Sequence, residues 1–421
     1  VPAERSVAGG LPTVAIVGAG FGGLKAARLL SRAAVRVLLI DRHNYHLFQP
    51  LLYQAAAAYL EPEQVAKPVR AILRGQKNLS FRVAEVRGVD FARRRVVTAE
   101  ESFPYDFLVL AMGGQTDFHG LAGVERHGFA LKTLDDAIRI RNHILSACEK
   151  AVMEKDPLAR RALLTFAVGG GGSAGVEMAG ALAELVGGVL VKDYRELERG
   201  DLRVLLLEGQ GEILPGFPAE LCRVARETLG RKGVTVRLNT QVQDFDGLEL
   251  RLKGGEKLPA ATLIWTGGVG AAALARTLKV PLGRQDRIVV EPTLQVPGHP
   301  EVFVIGDASY VEAGGQPLAM VAPAAVQMAE KAVANILARL AGRPLESFSY
   351  RSPGLLATIG RNAAVAQIAG LKFRGFLAWA VWLVVHLMRL VGFRNRLMVL
   401  INWAYDYLFF DRAVRLITKE E

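Results

Sequence analysis

Two glycine-spaced stretches constrain what this chain can fold into. VAIVGAGFGG at Val14–Gly23 and FAVGGGGSAGVE at Phe166–Glu177 each run from an apolar strand into G-x-G-x-x-G and on into a helix. Gly18, Gly20 and Gly23 fill the glycine places of the first; Gly170, Gly172 and Gly175 are the frame that fits the second. In such a turn the first glycine permits the tight reversal. The second lets the backbone approach a pyrophosphate, and the third lets the helix lie close to the strand. The helix N-terminus favours the phosphate charge. An acid closing the next strand makes the signal specific. Asp41 follows the predicted strand Val35–Ile40, 23 residues after Gly18, and Glu208 follows Val204–Leu207, 38 residues after Gly170. The longer second gap is an extended helix and link from Ala179 to Asp201. Each carboxylate can accept hydrogen bonds from ribose hydroxyls. At Glu208 it also repels a 2′-phosphate, which favours the unphosphorylated dinucleotide. Two cradles in one chain imply two dinucleotides exchanging electrons.

The chain has 421 residues, enough for two or three domains. With 51% hydrophobic and 22% charged residues it reads as folded α/β protein. Its two cysteines, Cys148 and Cys222, form no CxxC pair. That excludes a dithiol redox centre and a four-cysteine iron–sulfur cluster. A net charge of +11 suits nucleic acid or an anionic membrane. The lysines and arginines are scattered and no nucleic-acid motif accompanies them, so nucleic acid is not expected. Val1–Pro12 lacks an apolar h-region, so no signal peptide is expected in it. No apolar run is expected to reach the ~18–20 residues of a spanning helix.

Several further pieces surround the cradles. Arg42–Gln54 is too apolar and aromatic for an exposed loop; it reads either as a segment packing across the domain or as a wall of a cofactor pocket. His43 and His46 lack metal-ligand spacing, so a structural or hydrogen-bonding role is expected of them. Leu79–Val97 reads as strands turning at Gly88, and a long helix within Arg126–Lys155 is ended by Pro157. Tyr105–Gly114, Ala261–Gly270 and Val302–Tyr310 are strands ending in small residues, the last delivering Gly306 and Asp307. Glu177 falls in the first turn of its helix, where it is either a helix-dipole acid or a carboxylate beside the bound dinucleotide. Near the C-terminus, Gly375–Val385 is apolar but only 11 residues long. Arg389, Arg394 and Arg396 follow it. Arg396–Phe410 then places Leu397, Leu400, Ile401, Ala404 and Leu408 at helical spacing, opposite Asn395, Asn402 and Asp406. Trp379, Trp382 and Trp403 fall here, and Leu371–Glu421 carries eight basic and four acidic residues. Tryptophan beside arginine suits a membrane interface; a hairpin docked on its own core or on a second subunit is the other reading.

VAIVGAGFGG, NYHLFQPLLYQ, GGGGSAGVEMAGALAE, IWTGGV, VFVIGDAS, LLATIGRNAAVA and VGFRNRLMVLINWAYDYLFFDRAVRLI together resemble the type II NADH dehydrogenases. These are single-subunit NADH:quinone oxidoreductases among the flavoproteins with two dinucleotide-binding domains. The resemblance implies two Rossmann-like domains, for FAD and NADH, plus a C-terminal helical membrane-associating region. Residues 12–125 and 291–345 would form the FAD domain, 126–290 the NADH domain and 346–421 the anchor. FAD would lie on Gly18, Gly20, Gly23 and Asp41, with Ala111 and Gly113 at an A-x-G strand end and Asp307 on the flavin side chain. NADH would lie on Gly170, Gly172, Gly175 and Glu208, with Glu177 beside the nicotinamide. Gln327 would face the quinone. The family pattern A-Q-x-A-x-Q appears here as Ala322-Pro323-Ala324-Ala325-Val326-Gln327, with Pro323 in place of the first glutamine, and Pro353 stands before Gly354 where relatives carry lysine or histidine. The implied activity passes hydride from NADH to FAD and two electrons to a membrane quinone, without proton pumping. A homodimer, peripheral on the cytoplasmic face of a bacterial inner membrane or an equivalent bioenergetic membrane, is the implied setting. A flavin reductase with another acceptor, or an NADH-responsive sensor, is the alternative.

Overall fold

A computed structural model describes residues 10–198, 200–409 and 414–418. The positions before 10, Phe410 at the end of the expected C-terminal helix, and Glu421 lie outside the described residues. The chain divides into two compact units. The first takes its described residues from Val1–His46, Lys67–Gln115 and Val269–Ser352; the second takes them from Leu47–Ala66, Thr116–Gly268 and Pro353–Glu421.

The first unit is built on six strands in the spatial order Gln295–Val296, His299–Val304, Phe107–Leu110, Thr13–Val17, Arg36–Asp41 and Leu79–Val83. Pairing is parallel except at the Gln295–Val296 edge. Thr13–Val17 is apolar nearly throughout because both faces of the sheet are covered. Val14 and Ile16 pack with Leu24, Phe303 and Met328 on one side, and Ala15 and Val17 with Leu108, Leu110 and Val304 on the other. The helices Phe21–Leu29 and Ala322–Leu340 lie together, tied at the surface by Lys25 and Glu330 at 2.8 Å. The expected turn at Gly88 is not there. Gly88 sits inside the strand Val86–Asp90 at a register shift, and the reversal comes at Phe91–Arg94, where Arg94 takes a positive φ. A glycine in a strand marks a bulge as readily as a turn.

The second unit carries five parallel strands in the order Phe129–Ala130, Thr262–Trp265, Thr165–Gly169, Arg203–Leu207 and Val234–Arg237. The long helix runs Leu134–Met153, and Pro157 is not its terminator: it opens the next helix, Pro157–Leu163, at the position where a missing N–H costs nothing. The helix Ser173–Glu184 continues through a π-helical stretch, Leu185–Leu190, to Asp193. This corrects the expectation that no apolar run is long enough to span. Ser173–Asp193 passes that test by length and composition, but 72% of its apolar window is buried inside the protein, so it is a core helix. An antiparallel sheet of Leu355–Thr358, Ala364–Ile368 and Leu371–Arg374 leads into the helices Gly375–Arg389 and Phe393–Phe409.

These last two helices are turned against the usual order. Asn395 is 4% exposed and donates to the Gln64 carbonyl at 2.8 Å, and Asn402 donates to the Gln64 side chain at 3.0 Å. The apolar Leu400 and Leu408 are 47% and 71% exposed, alongside exposed Phe376, Leu377, Val384 and Met388. The polar stripe is docked inward and the apolar stripe faces out. Trp382 is 1% exposed, while Trp379 and Trp403 are half-buried, the Trp403 indole donating to Gln54 at 2.9 Å. The exposed apolar face is made of phenylalanine, leucine, isoleucine, valine and methionine.

Candidate active site

The two cradles repeat one geometry. Gly18 has φ +102° and its N–H reaches the Ile40 carbonyl at 2.8 Å; Gly170 has φ +104° and reaches Leu207 at 2.8 Å. A Cβ on Gly23 would fall 1.8 Å from the Gly18 carbonyl oxygen, and one on Gly175 would fall 1.8 Å from that of Gly170. Side chains at the first position meet a left-handed backbone, and at the third a backbone oxygen. By contrast a Cβ on Gly20 or Gly172 would meet no protein atom within 4 Å. That open side, at the start of each helix, is where a pyrophosphate fits.

The closing acids brace the turns. Asp41 accepts from the Ala19 N–H at 2.6 Å and the His43 N–H at 2.7 Å. Glu208 accepts from the Gly171 N–H at 2.5 Å and the Gln210 N–H at 2.7 Å. A carboxylate offers about four lone-pair sites, so both acids keep capacity for a ribose. Two further groups brace the turns: His46, in the hydrogen-bonding role expected of it, and Thr266, which the sequence reading missed. Nδ1 of His46 lies 2.9 Å from the Ala19 carbonyl, and since a carbonyl only accepts, that nitrogen carries the proton. Burial holds the ring's pKa down, so it is neutral. In the second cradle the Thr266 hydroxyl sits 3.0 Å from the carbonyls of Gly169 and Gly170.

Around the first cradle the strand end and Asp307 converge. A Cβ on Gly18 would lie 2.2 Å from the Ala111 carbonyl oxygen, and one on Gly114 would lie 3.2 Å from the Asp307 carboxylate. Gly113 and Gly306 hold positive φ, +68° and +71°. Gly18, Gly20, Gly23, Asp41, Ala111, Gly113 and Asp307 are thus gathered in one unit. Gln327, on the helix of that same unit, exchanges both ends of its amide with the Arg351 main chain, at 2.8 and 3.0 Å.

Glu177 is placed differently from the helix-dipole reading. It lies in the second turn of Ser173–Glu184, is 9% exposed, and faces the second unit's own interior. Burial raises its pKa to about 8. The Thr358 N–H, 3.3 Å from Oε1, and the Trp382 indole act against burial without overcoming it. The neutral acid therefore prevails below about pH 8. Because the folded pKa is raised, the stabilising contribution of the neutral form is complete below about pH 4.5 and is lost as pH climbs through about 8. E177Q, which cannot ionise, is expected to gain thermal stability relative to the native protein progressively between pH 5 and 8; parallel melting curves that never diverge would refute the buried-acid assignment.

Within the same unit, aromatic residues line a small cavity of about 70 Å³ that is partly open to solvent. Tyr53, Trp379, Trp382, Trp403 and Tyr407 line it, and Glu184, held by Lys232 at 2.6 Å, closes one end. No local pattern announces this cavity, because its walls come from positions more than 300 residues apart. Cys148 and Cys222 are both buried free thiols, and burial lifts Cys148 to about 12. Neither is poised as the thiolate a cysteine-based reductase requires.

Fold and cradles define a two-dinucleotide oxidoreductase. Residues 12–329 match the family model described as pyridine nucleotide-disulphide oxidoreductase, and residues 353–412 match the NDH2 C-terminal domain. The type II NADH:quinone oxidoreductase Ndh of Mycobacterium tuberculosis is 38% identical, over 97% of this chain and 90% of that protein. The demethylphylloquinone reductase NdbB of Synechocystis is 31% identical, over 93% and 95%. The solved structure of NDH2 from Plasmodium falciparum in complex with NADH has the same fold: TM-score 0.88, 20% identity, covering 97% of this chain and all of that one. The chain belongs to the type II NADH:quinone oxidoreductases within the pyridine nucleotide-disulphide oxidoreductase family.

Proposed function

We infer that this protein is a non-proton-pumping NADH:quinone oxidoreductase. The observation that carries the reading is the pair of equivalent cradles, one in each unit, each open only at its second glycine. FAD fits the first, and when bound it supplies acceptance of hydride and release of two electrons to the quinone. Gly20 and the N-terminus of Phe21–Leu29 would hold its pyrophosphate, Asp41 its ribose, and Asp307 with the Ala111–Gly113 strand end the part nearer the ring. NADH would sit on Gly172 and Glu208 of the second cradle. No arginine directly follows Glu208, which supports NADH over NADPH. Glu177 is assigned to the reaction as a buried acid that holds a proton at its carboxyl near neutral pH. Gln327 is assigned to the quinone side. Its bonds to Arg351 leave one amide hydrogen and one lone pair for another partner.

The outward apolar stripe of Gly375–Arg389 and Phe393–Phe409 supports peripheral attachment to a membrane, where the quinone resides. The cytoplasmic face of a bacterial inner membrane or an equivalent bioenergetic membrane, and a homodimeric state, complete the proposal. Stopped-flow mixing tests the function: NADH is expected to bleach the flavin and a short-tailed quinone to restore its colour. A flavin that NADH leaves oxidised, or that quinone leaves reduced, overturns it.

A further inference from the structure

The turn that carries Asp307 is gripped from two sides by buried groups outside the glycine cradle. On one side is Met328, 1% exposed on the helix Ala322–Leu340. Its Sδ lies 3.1 Å from the Gly306 nitrogen and accepts that N–H. The buried Ser309 hydroxyl lies 2.9 Å from the Gly306 carbonyl and 3.3 Å from the same sulfur. Ala325, three residues before Met328 on the same helix face, closes this side: a Cβ on Gly306 would lie 3.2 Å from its methyl. On the other side is Arg287, 2% exposed. Its Nε donates to the Ser309 carbonyl and its Nη1 to the Leu318 carbonyl, each at 2.8 Å. The strand Ile288–Val289, which follows Arg287 directly, pairs parallel with Ser309–Tyr310 and fixes that register. A core that needed only volume would accept leucine in place of methionine, and burying a guanidinium is costly. Both groups nevertheless converge on the Gly306–Ala308 turn, with Asp307 between them. The Arg287 charge is near enough to Asp307 to act on it, and the Asp307 carboxylate lies against Gly114, beside the Ala111–Gly113 strand end.

We propose that Met328 and Arg287 are positioning residues for the flavin: they clamp the Gly306–Ala308 turn from opposite sides and so set the Asp307 carboxylate where it binds the FAD side chain. The inference rests on the assignment of FAD to the first cradle and goes beyond it by naming what holds Asp307 in place. The action of both residues passes through Asp307. Without the sulfur, the buried Gly306 N–H has no acceptor, and the turn must shift to find one. Without the guanidinium, two main-chain carbonyls lose their donor at once and a cation is withdrawn from beside the carboxylate. A lysine ammonium keeps the charge but lacks the planar fork that spans both carbonyls.

The test uses the full chain loaded with FAD in detergent. Serial dilution frees part of the flavin, and the fluorescence of free FAD gives its Kd. Met328→Leu keeps the volume and removes the acceptor; it is expected to raise the Kd about tenfold, the worth of one buried hydrogen bond. Arg287→Lys, which loses one of two carbonyl contacts, is expected to raise it about as much. Asp307→Asn is expected to raise the Kd by itself. The deciding comparison places each change on the Asp307→Asn background. A residue that works through Asp307 adds less than about twofold there, whereas one that only stabilises the fold multiplies the Kd as it did before. Ser309→Ala, which removes the hydroxyl from the Gly306 carbonyl, takes the same cycle if either of the other variants yields no flavoprotein. Native Kd in the single variants, or undiminished effects on the Asp307→Asn background, would overturn the proposal. An Asp307→Asn protein that holds FAD as tightly as the native one would instead overturn the placement of FAD on which the proposal stands.

Discussion

Gly23→Ala is expected to yield a protein that no longer retains FAD through gel filtration, whereas Gly175→Ala retains FAD but is no longer reduced by NADH at ordinary concentrations. Each methyl would fall 1.8 Å from a backbone oxygen, that of Gly18 or Gly170, where normal contact needs more than 3 Å. Neither partner is a flexible side-chain end, so the helix must move away from the strand and carry its N-terminus off the phosphate. We expect at least a hundredfold loss of affinity for the dinucleotide concerned. Gly20→Ala separates this effect from general unfolding. Its methyl would meet no protein atom within 4 Å, so the melting temperature should stay native while FAD binding weakens, because the methyl intrudes on the ligand's side. If Gly23→Ala and Gly175→Ala both lose flavin, or both keep full activity with NADH, the assignment of the two cradles is wrong.

The second large effect concerns attachment. Combining Leu400→Glu with Ile401→Glu is expected to release the protein from phospholipid vesicles, with at least a hundredfold fall in partitioning. The two side chains are 47% and 50% exposed, so charging them should cost the fold little. In a bilayer surface each contributes roughly 1.5–3 kcal/mol of apolar transfer, which the carboxylates forfeit. Flotation measures the release, and NADH-driven flavin bleaching on the same sample shows that the remainder is intact. A doubly charged protein that still floats with vesicles would exclude this stripe as the anchor. Deleting everything after Leu371 is a poorer test, because it also removes Trp382 and Asn395, which are buried inside the second unit.

The cradles were legible in the sequence because their geometry is local. Thr13–Val17 lies where the apolar run predicts it, and in both turns the three glycines of the frame fall in turn on a positive φ, an open side and a close helix–strand approach. The partners of the braces were not legible: a hydrogen-bonding role could be expected of His46, but Ala19 is 27 residues away, and Thr266 is 96 from Gly170, and neither spacing has a pattern. The C-terminal helices show a deeper limit. Periodicity separates Leu397, Leu400, Ile401 and Leu408 from Asn395 and Asn402, but it cannot say which stripe faces the protein. Only the docking of Asn395 and Asn402 on Gln64 decides that, and Gln64 is more than 300 residues away. Glu177 misled in the same manner. Its number places it near a helix start, while the element actually begins at Ser173, which turns the acid inward against Thr358.

The likeness of the two cradles has a kinetic corollary. One ligand must stay for the life of the enzyme and the other must depart every turnover, yet the grip on the pyrophosphate is built the same way in both, down to the φ of the first glycine. Residence time is therefore not written in the glycine turns. It has to come from whatever each unit adds beyond the phosphates. If FAD lies where we propose, these additions are the strand end at Ala111–Gly113 and the Asp307 segment, and changes there should shorten occupancy without altering the handle by which the molecule is first caught.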